Sequence, residues 1–321
     1  MITEGILNIN KPQNMTSHDV VAICRRVLGI KKIGHTGTLD PMATGVLPIC
    51  IGRSTKIIEY LDTDIKKYSC TMLLGIQTDT QDIWGNVLSR TPVDTTEEKI
   101  REAFSGFVGI IDQKPPMYSA VKVNGKRLYE YAREGKAVEV KSRKVYIKSI
   151  EIEDISLEGE EKTVSFSVEC SKGTYIRTIC QDAGEKIGCS GTLTRLERTD
   201  SGIFSIENAV DIESLRGMST EEIEPLLYRS EDALDKFGII KTSEFSGLKF
   251  INGSPLPEQK CHVISEPFYA DRDFYLPVSD TFRRGYRIFA PIDGEERFLG
   301  IGVYDSRSKQ YAADKIFYIR G

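Results

Sequence analysis

No run of apolar residues in this 321-residue chain approaches the roughly 20 needed to cross a bilayer as a helix, which excludes a helical membrane protein. The first residues, Met1-Ile2-Thr3-Glu4-Gly5, lack a basic stretch followed by an apolar one, so no signal peptide is expected. The seven cysteines, at 24, 50, 70, 170, 180, 189 and 261, are odd in number and form no Cys-x-x-Cys pair. That excludes a disulfide framework and a zinc ribbon, and it predicts reduced, mostly buried thiols in a cytoplasmic protein. No Gly-x-x-x-x-Gly-Lys-Ser/Thr loop occurs, so no P-loop phosphate site is expected. Internal repeats, low-complexity tracts and long linkers are also absent.

What is present is an ordinary globular composition, 40% hydrophobic and 28% charged, with length for one large domain and one small one. A net charge of −4 and an isoelectric point near 5.7 argue mildly against a nucleic-acid partner. The distribution of charge matters more than its sum. Val121 to Lys148 holds nine Lys/Arg and three Glu, whereas Thr220 to Asp235 holds six acids and one Arg. A polyanion is drawn to the first segment and repelled by the second. Tyr129 and Tyr131 lie among the cations, which suits RNA, although a solvated basic surface has the same composition.

Helical spacing of Val20, Cys24, Val27 and Leu28 predicts a helix over Ser17–Leu28, stopped by Gly29. Strands are expected at Gly5–Asn10, Val46–Ile51, Tyr68–Leu74, Val138–Ile152 and Val164–Cys170. Ser54 is expected to cap a helix through Leu61. Thr95 and Glu98 have capping-box spacing ahead of a helix with Ile100, Phe104 and Phe107 on one face. A further helix is expected over Tyr175–Ile187, ended by Gly188. The acidic stretch near 220–236 marks the expected domain boundary. After it the chain is richer in short strands, with turn signals at Asn252-Gly253 and Asp293-Gly294.

Between Lys32 and Arg53 a single charged side chain occurs, Asp40, within Gly34-His35-Thr36-Gly37-Thr38-Leu39-Asp40-Pro41-Met42-Ala43-Thr44-Gly45-Val46-Leu47-Pro48. Glycines admit unusual backbone geometry, and Pro41 fixes its own φ and restricts Asp40. The segment therefore reads as a stiff loop presenting one carboxylate in uncharged surroundings. An Asp-Pro step elsewhere would read as a turn starter.

This run resembles the signature loop of the TruB family of tRNA pseudouridine synthases, in which the aspartate is the essential catalytic residue. Four further segments are similar to that family in the expected order. They are Lys67-Tyr68; Gly75-Ile76-Gln77-Thr78-Asp79-Thr80-Gln81-Asp82; Pro115-Pro116-Met117-Tyr118-Ser119-Ala120-Val121-Lys122 with Gly125-Lys126-Arg127-Leu128-Tyr129; and Cys170-Ser171-Lys172-Gly173-Thr174-Tyr175-Ile176-Arg177. Together they span most of residues 5 to 205. Lys249-Phe250-Ile251-Asn252-Gly253-Ser254-Pro255 is similar, more loosely, to PUA domains, which are compact RNA-binding pseudo-barrels.

The resemblance implies an α+β fold: a mixed, largely antiparallel sheet flanked by helices over residues 1–235, with an RNA-gripping insertion at about 115–148. A small β-rich PUA-like domain over 236–321 follows. The implied activity is isomerisation of uridine to pseudouridine at position 55 in the T arm of tRNA, without cofactor or metal. The expected partner is tRNA, and the sequence indicates neither a membrane association nor an obligate protein partner.

That chemistry breaks a C–N glycosidic bond and remakes the link through C5, so it needs neither redox nor an energy donor. A carboxylate serves as nucleophile at C6 of the uracil or at C1′ of the ribose. Enclosure drives a carboxyl toward its neutral form, and a guanidinium partner opposes this. Asp40 is thus assigned as nucleophile and Arg177 as its charge partner; the competing role for Arg177 is a structural ion pair or a phosphate contact. Tyr68 offers a π face for the target base and a hydroxyl for proton movement at C5, against the plain role of a half-buried strand tyrosine. The resemblance places His35 at the flipped-out nucleotides as a wedge; a loop-stabilising hydrogen bond is the plain alternative.

Lys56 reads as a phosphate contact, a loop brace or a solvated lysine. Leu196 matches an apolar position against the target base, or else packs in the core. Lys126 and Arg127 are assigned to RNA in the insertion. Asp79 and Asp82 make a weak metal signal and read better as loop hydrogen-bonders. Two other classes compete: a non-catalytic RNA-binding or tRNA-folding protein, and an aspartyl-nucleophile phosphotransferase, whose sites the Thr-Gly-Thr beside Asp40 loosely resembles.

Overall fold

The structure is a computed structural model that describes residues 2–63, 65–136, 138–270 and 278–318. Its strands fall mainly into two sheets. The larger, eleven-stranded sheet runs in the order Val210–Asp211, Gly5–Lys11, Thr44–Ile51, Gly191–Ser201, Lys66–Leu74, Thr163–Cys170, Arg143–Ser156, Gly109–Gln113, with three short strands attached beside this path. Pairing is antiparallel except between Gly5–Lys11 and Val210–Asp211 and between Thr44–Ile51 and Gly191–Ser201. The sheet is therefore mixed and largely antiparallel, as expected.

Helices Ser17–Leu28, Glu97–Ser105 and Ile176–Ile187 contribute apolar side chains to the main core, among them Val20, Cys24, Phe104 and Ile179, which meet Leu47, Met72 and Phe166 of the sheet. The Ser17–Leu28 helix has the expected bounds. Thr16 caps it in a capping box with Asp19, and Gly29 ends it in the left-handed conformation at φ 67°. Gly184 lets the Ile176–Ile187 helix lie directly on the sheet, since a Cβ there would fall 2.3 Å from the Gly191 amide nitrogen.

Several local expectations shift. Thr96, not Thr95, caps the Glu97–Ser105 helix, accepting from the Lys99 amide. The segment after Ile51 is a 3-10 helix, Gly52–Thr63. Ser54 does not cap it; its buried hydroxyl accepts from the Gly5 amide instead. The strand expected from Val138 begins at Arg143.

The second sheet, of six strands, runs Leu256–Pro257, Gln310–Ile316, Glu295–Asp305, Gly285–Ile292, Gly238–Thr242, Cys261–Ser265. The Glu244–Ile251 helix packs against it through Phe250. An apolar cluster joins the two sheets, with Ile6, Val46, Ile57 and Tyr60 from one side meeting Phe237, Ile301 and Phe317 from the other. Among the described residues, no helix is long and apolar enough to cross a membrane.

Candidate active site

A cavity of about 520 Å³ opens where six chain segments meet, Arg143 to Val145 among them. Thr36 to Asp40 form one wall, Ser171 to Arg177 another, and Ser119 and Ala120 of the insertion a third. Tyr68, Leu196 and Arg198, from neighbouring central strands, complete it.

The Asp40 loop is held from beneath by groups that charge patterning did not single out. Lys11, fully buried at the end of the first strand, donates from Nζ to the carbonyls of Pro12 (2.9 Å), Met15 (2.7 Å) and Pro41 (3.4 Å). Burial pulls its ammonium down to about 8, partly offset by Asp40. The Ser17 hydroxyl accepts from the Leu39 amide at 2.9 Å, and the Asn14 amide donates to the Pro41 carbonyl at 3.0 Å. Gly45 closes the loop where no other residue fits: its φ is +100°, and a Cβ would lie 2.2 Å from the Arg198 carbonyl oxygen.

Arg177 is the second residue of the Ile176–Ile187 helix and is 4% exposed. One terminal nitrogen, NH2, lies 2.9 Å from Asp40 Oδ2 and donates to the Tyr118 carbonyl at 3.0 Å. The other, NH1, donates to the Thr80 carbonyl at 2.9 Å and lies 3.7 Å from Asp82 Oδ2. The guanidinium thus ties together the Asp40 loop, the turn at Thr80 and the start of the insertion. A lysine, a point charge without the planar fork, could not serve all four acceptors. The helix start is itself anchored by Gln113, whose amide side chain bonds both the Tyr175 carbonyl (3.0 Å) and the Tyr175 amide (2.7 Å).

Tyr68 is half-buried in the cavity wall, and burial pushes its phenol up to about 12, with Arg198 pulling partly the other way. At neutral pH it is a hydrogen-bond donor and a flat apolar face. Arg198 stands opposite Tyr68 in the sheet register and is almost wholly buried. It donates from Nε to the Val46 carbonyl at 2.7 Å and from NH2 to the Gly37 carbonyl at 3.2 Å. Its signal was present in the sequence: it lies two residues after Leu196 on one strand, and alternation puts both on the same face. Ser119 also lines the cavity, with its buried Oγ lacking a hydrogen-bond partner.

Asp40, Tyr68, Arg177 and Leu196 therefore line one cavity. His35 and Lys56 do not. His35 ends a short strand paired with Ile49, with its ring 5.6 Å from that of His18 in an edge-on arrangement. Burial, then His18 and Arg198, pull its imidazole down to about 4. Lys56 donates to the Ile316 carbonyl at 2.6 Å and braces the two sheets. Lys126 and Arg127 lie on a hairpin strand of the insertion, where Lys126 pairs with Glu134 and Arg127 donates to the Tyr129 hydroxyl at 3.1 Å.

Asp82 accepts from Thr80 Oγ1 at 2.8 Å and from the Trp84 amide at 3.0 Å, and Asp79 accepts from the Asn86 amide at 2.8 Å. Both acids organise their turn. Burial raises Asp82 above the usual carboxylate range, against the pull of Thr80 and Arg177. Among the described residues, no group of three or more His, Cys, Asp and Glu side chains gathers as a metal site.

A mixed sheet that presents one arginine-bound carboxylate and a tyrosine in one cavity has the form of an enzyme active site. Two family descriptions match the chain: the N-terminal domain of TruB family pseudouridylate synthase over residues 25–176, and the C-terminal domain of tRNA pseudouridylate synthase B over 177–236. A protein of Alkaliphilus oremlandii named tRNA pseudouridine synthase B is 52% identical, covering 92% of this chain and 97% of its own length. One of the same name from Clostridioides difficile is 40% identical, covering 97% and 99%.

Among solved structures, a Cbf5–Nop10–Gar1 complex contains a chain with a TM-score of 0.70 at 24% identity, covering 98% of this chain and 84% of that one. An H/ACA RNP bound to a substrate RNA contains another, with a TM-score of 0.69 at 22% identity, covering 98% and 86%. These likenesses show the fold. The chain belongs to the TruB family of pseudouridine synthases and is an RNA pseudouridine synthase, an isomerase. The phosphotransferase alternative is thereby set aside.

Proposed function

We propose that this chain isomerises one uridine in the T arm of tRNA, at position 55, with Asp40 as the nucleophile. The observation that carries the reading is the Asp40 carboxylate, 36% exposed in the cavity and fixed at 2.9 Å by the buried Arg177. Its charge partner is in place before substrate arrives, so little reorganisation is needed at the moment of reaction. The tRNA substrate is drawn from the names of the relatives, which match nearly the full length of this chain.

In the proposed reaction the uridine swings out of its stack into the cavity. Asp40 bonds transiently to C6 or C1′, the N1–C1′ bond breaks, and the uracil turns. C5 then bonds to C1′, the C5 proton leaves, N1 ends protonated, and the carboxylate is released. No atom is gained or lost. Tyr68 and Leu196 enclose the base, and Tyr68 remains a protonated phenol that stacks and donates. Arg177 holds Asp40, and Arg198 and Lys11 hold the loop. Lys126, Arg127 and their basic neighbours grip phosphates, and His35, next to the cavity-lining Thr36, meets the RNA beside the flipped nucleotide. The six-stranded second sheet extends the grip as an RNA-binding domain.

Pseudouridine mapping in an unmodified tRNA transcript incubated with the purified chain tests this reading. A single modified site in the T loop is expected. Binding without any pseudouridine would instead favour the non-catalytic tRNA-folding role.

A further inference from the structure

The one tryptophan of the chain lies on a turn bonded to the arginine that holds Asp40, and its indole is used by nothing described so far. Trp84 is 49% exposed and Ile83 39% exposed, at the tip of the turn between the strands Ile76–Thr78 and Val87–Arg90. An exposed tryptophan on a mobile tip would mean little, but this turn is tightly fixed. The Ile83 amide donates to the Leu193 carbonyl at 2.9 Å, and the Asn86 side chain donates to Asp79 at 3.0 Å. Thr178 of the arginine-bearing helix donates to Gln81 Oε1 at 3.1 Å.

The same turn reaches the reacting centre. The Trp84 amide is held at 3.0 Å by the Asp82 carboxylate, which lies 3.7 Å from Arg177, and the Thr80 carbonyl accepts directly from Arg177. The other terminal nitrogen of that guanidinium binds Tyr118, at the start of the basic insertion. The turn that carries the exposed indole and the segment at Tyr118 therefore meet at one side chain, the arginine that holds Asp40.

We propose that Trp84 is a stacking platform for a nucleobase of the substrate RNA other than the isomerised uridine. Any base offers a π face to an indole, so such a contact supplies affinity without reading sequence. The inference rests on the RNA-isomerase reading above and adds a substrate-positioning residue to it.

Because no second tryptophan exists, emission excited at the red edge of the absorption band, where the 14 tyrosines absorb little, reports on this one position. Titration with an unmodified tRNA transcript should quench that emission along the same curve that an independent filter-binding assay gives. Trp84→Ala should raise KM for pseudouridine formation about tenfold, the range of one base–aromatic stack, with kcat nearly unchanged. Trp84→Phe should recover most of the loss. Unchanged emission at saturating RNA, or a fall in kcat without a rise in KM, would overturn the proposal. Emission that shifts with protein concentration alone would do the same and would assign the patch to a second copy of the chain. The emission titration needs only binding, so it remains readable if the catalytic reading fails or if Trp84→Ala does not fold.

Discussion

At the scale of single residues, the site depends on buried cations that serve carbonyl and carboxylate oxygens. Arg177→Lys should lower kcat at least a hundredfold while changing tRNA affinity little, because a lysine keeps the charge but not the fork that orients Asp40. Single-turnover kinetics beside a binding assay would check this, and equal losses in both would remove its catalytic assignment. His35 gives a pH signature. Its folded imidazole titrates near 4 and its ordinary value is 6.5, so between those values the unfolded chain holds the extra proton. Stability should therefore be unaffected above 6.5 and should fall as the pH drops toward 4. The neighbours that act on it are His18 and Arg198. Comparing melting temperatures of wild type and His35→Gln at pH 7 and pH 4.5 measures it: the variant should lose less on acidification.

At the scale of elements, the Asp40 loop is held by close backbone approach as well as by hydrogen bonds. Gly45→Ala should cost about 3 kcal/mol in denaturant unfolding, since a Cβ would be forced 2.2 Å from the Arg198 carbonyl oxygen at φ +100°. A neutral result would mean that the strand can move aside. Elements with strong local punctuation were legible in the sequence. The Ser17–Leu28 helix has its cap, its apolar stripe and its stop within a few residues of one another. The cap of the Glu97–Ser105 helix was misplaced by one residue because two adjacent threonines offer the same chemistry. Asp40, Tyr68, Arg177 and Leu196 were legible as candidates from their motifs. Arg198 carried a signal in its alternation with Leu196, but its partners, the Val46 and Gly37 carbonyls, lie more than a hundred residues away, and the Pro41 carbonyl that Lys11 reaches comes from another segment as well. Lys56 shows the same limit in reverse: its partner, the Ile316 carbonyl, is 260 residues away.

At the scale of the whole molecule, a chain of net charge −4 must bind a polyanion through local charge. In the insertion and the strand after it, Lys126 and Lys144 pair with Glu134 and Asp112 at the exposed surface, contacts too weak to withhold them from phosphate. Replacing Lys126, Arg127 and Lys144 with glutamine should flatten the plot of log affinity for tRNA against log salt by about 2. An unchanged slope would place the phosphate grip elsewhere. The account's central claim concerns the carboxylate itself, and the most direct measurement compares wild type with Asp40→Asn on tRNA carrying tritium at uridine C5. Wild type should release tritium from a single T-loop position, and the variant should bind the same tRNA with similar affinity and release none. Tritium release by Asp40→Asn at a rate near that of wild type would contradict the claim that this aspartate forms the bond.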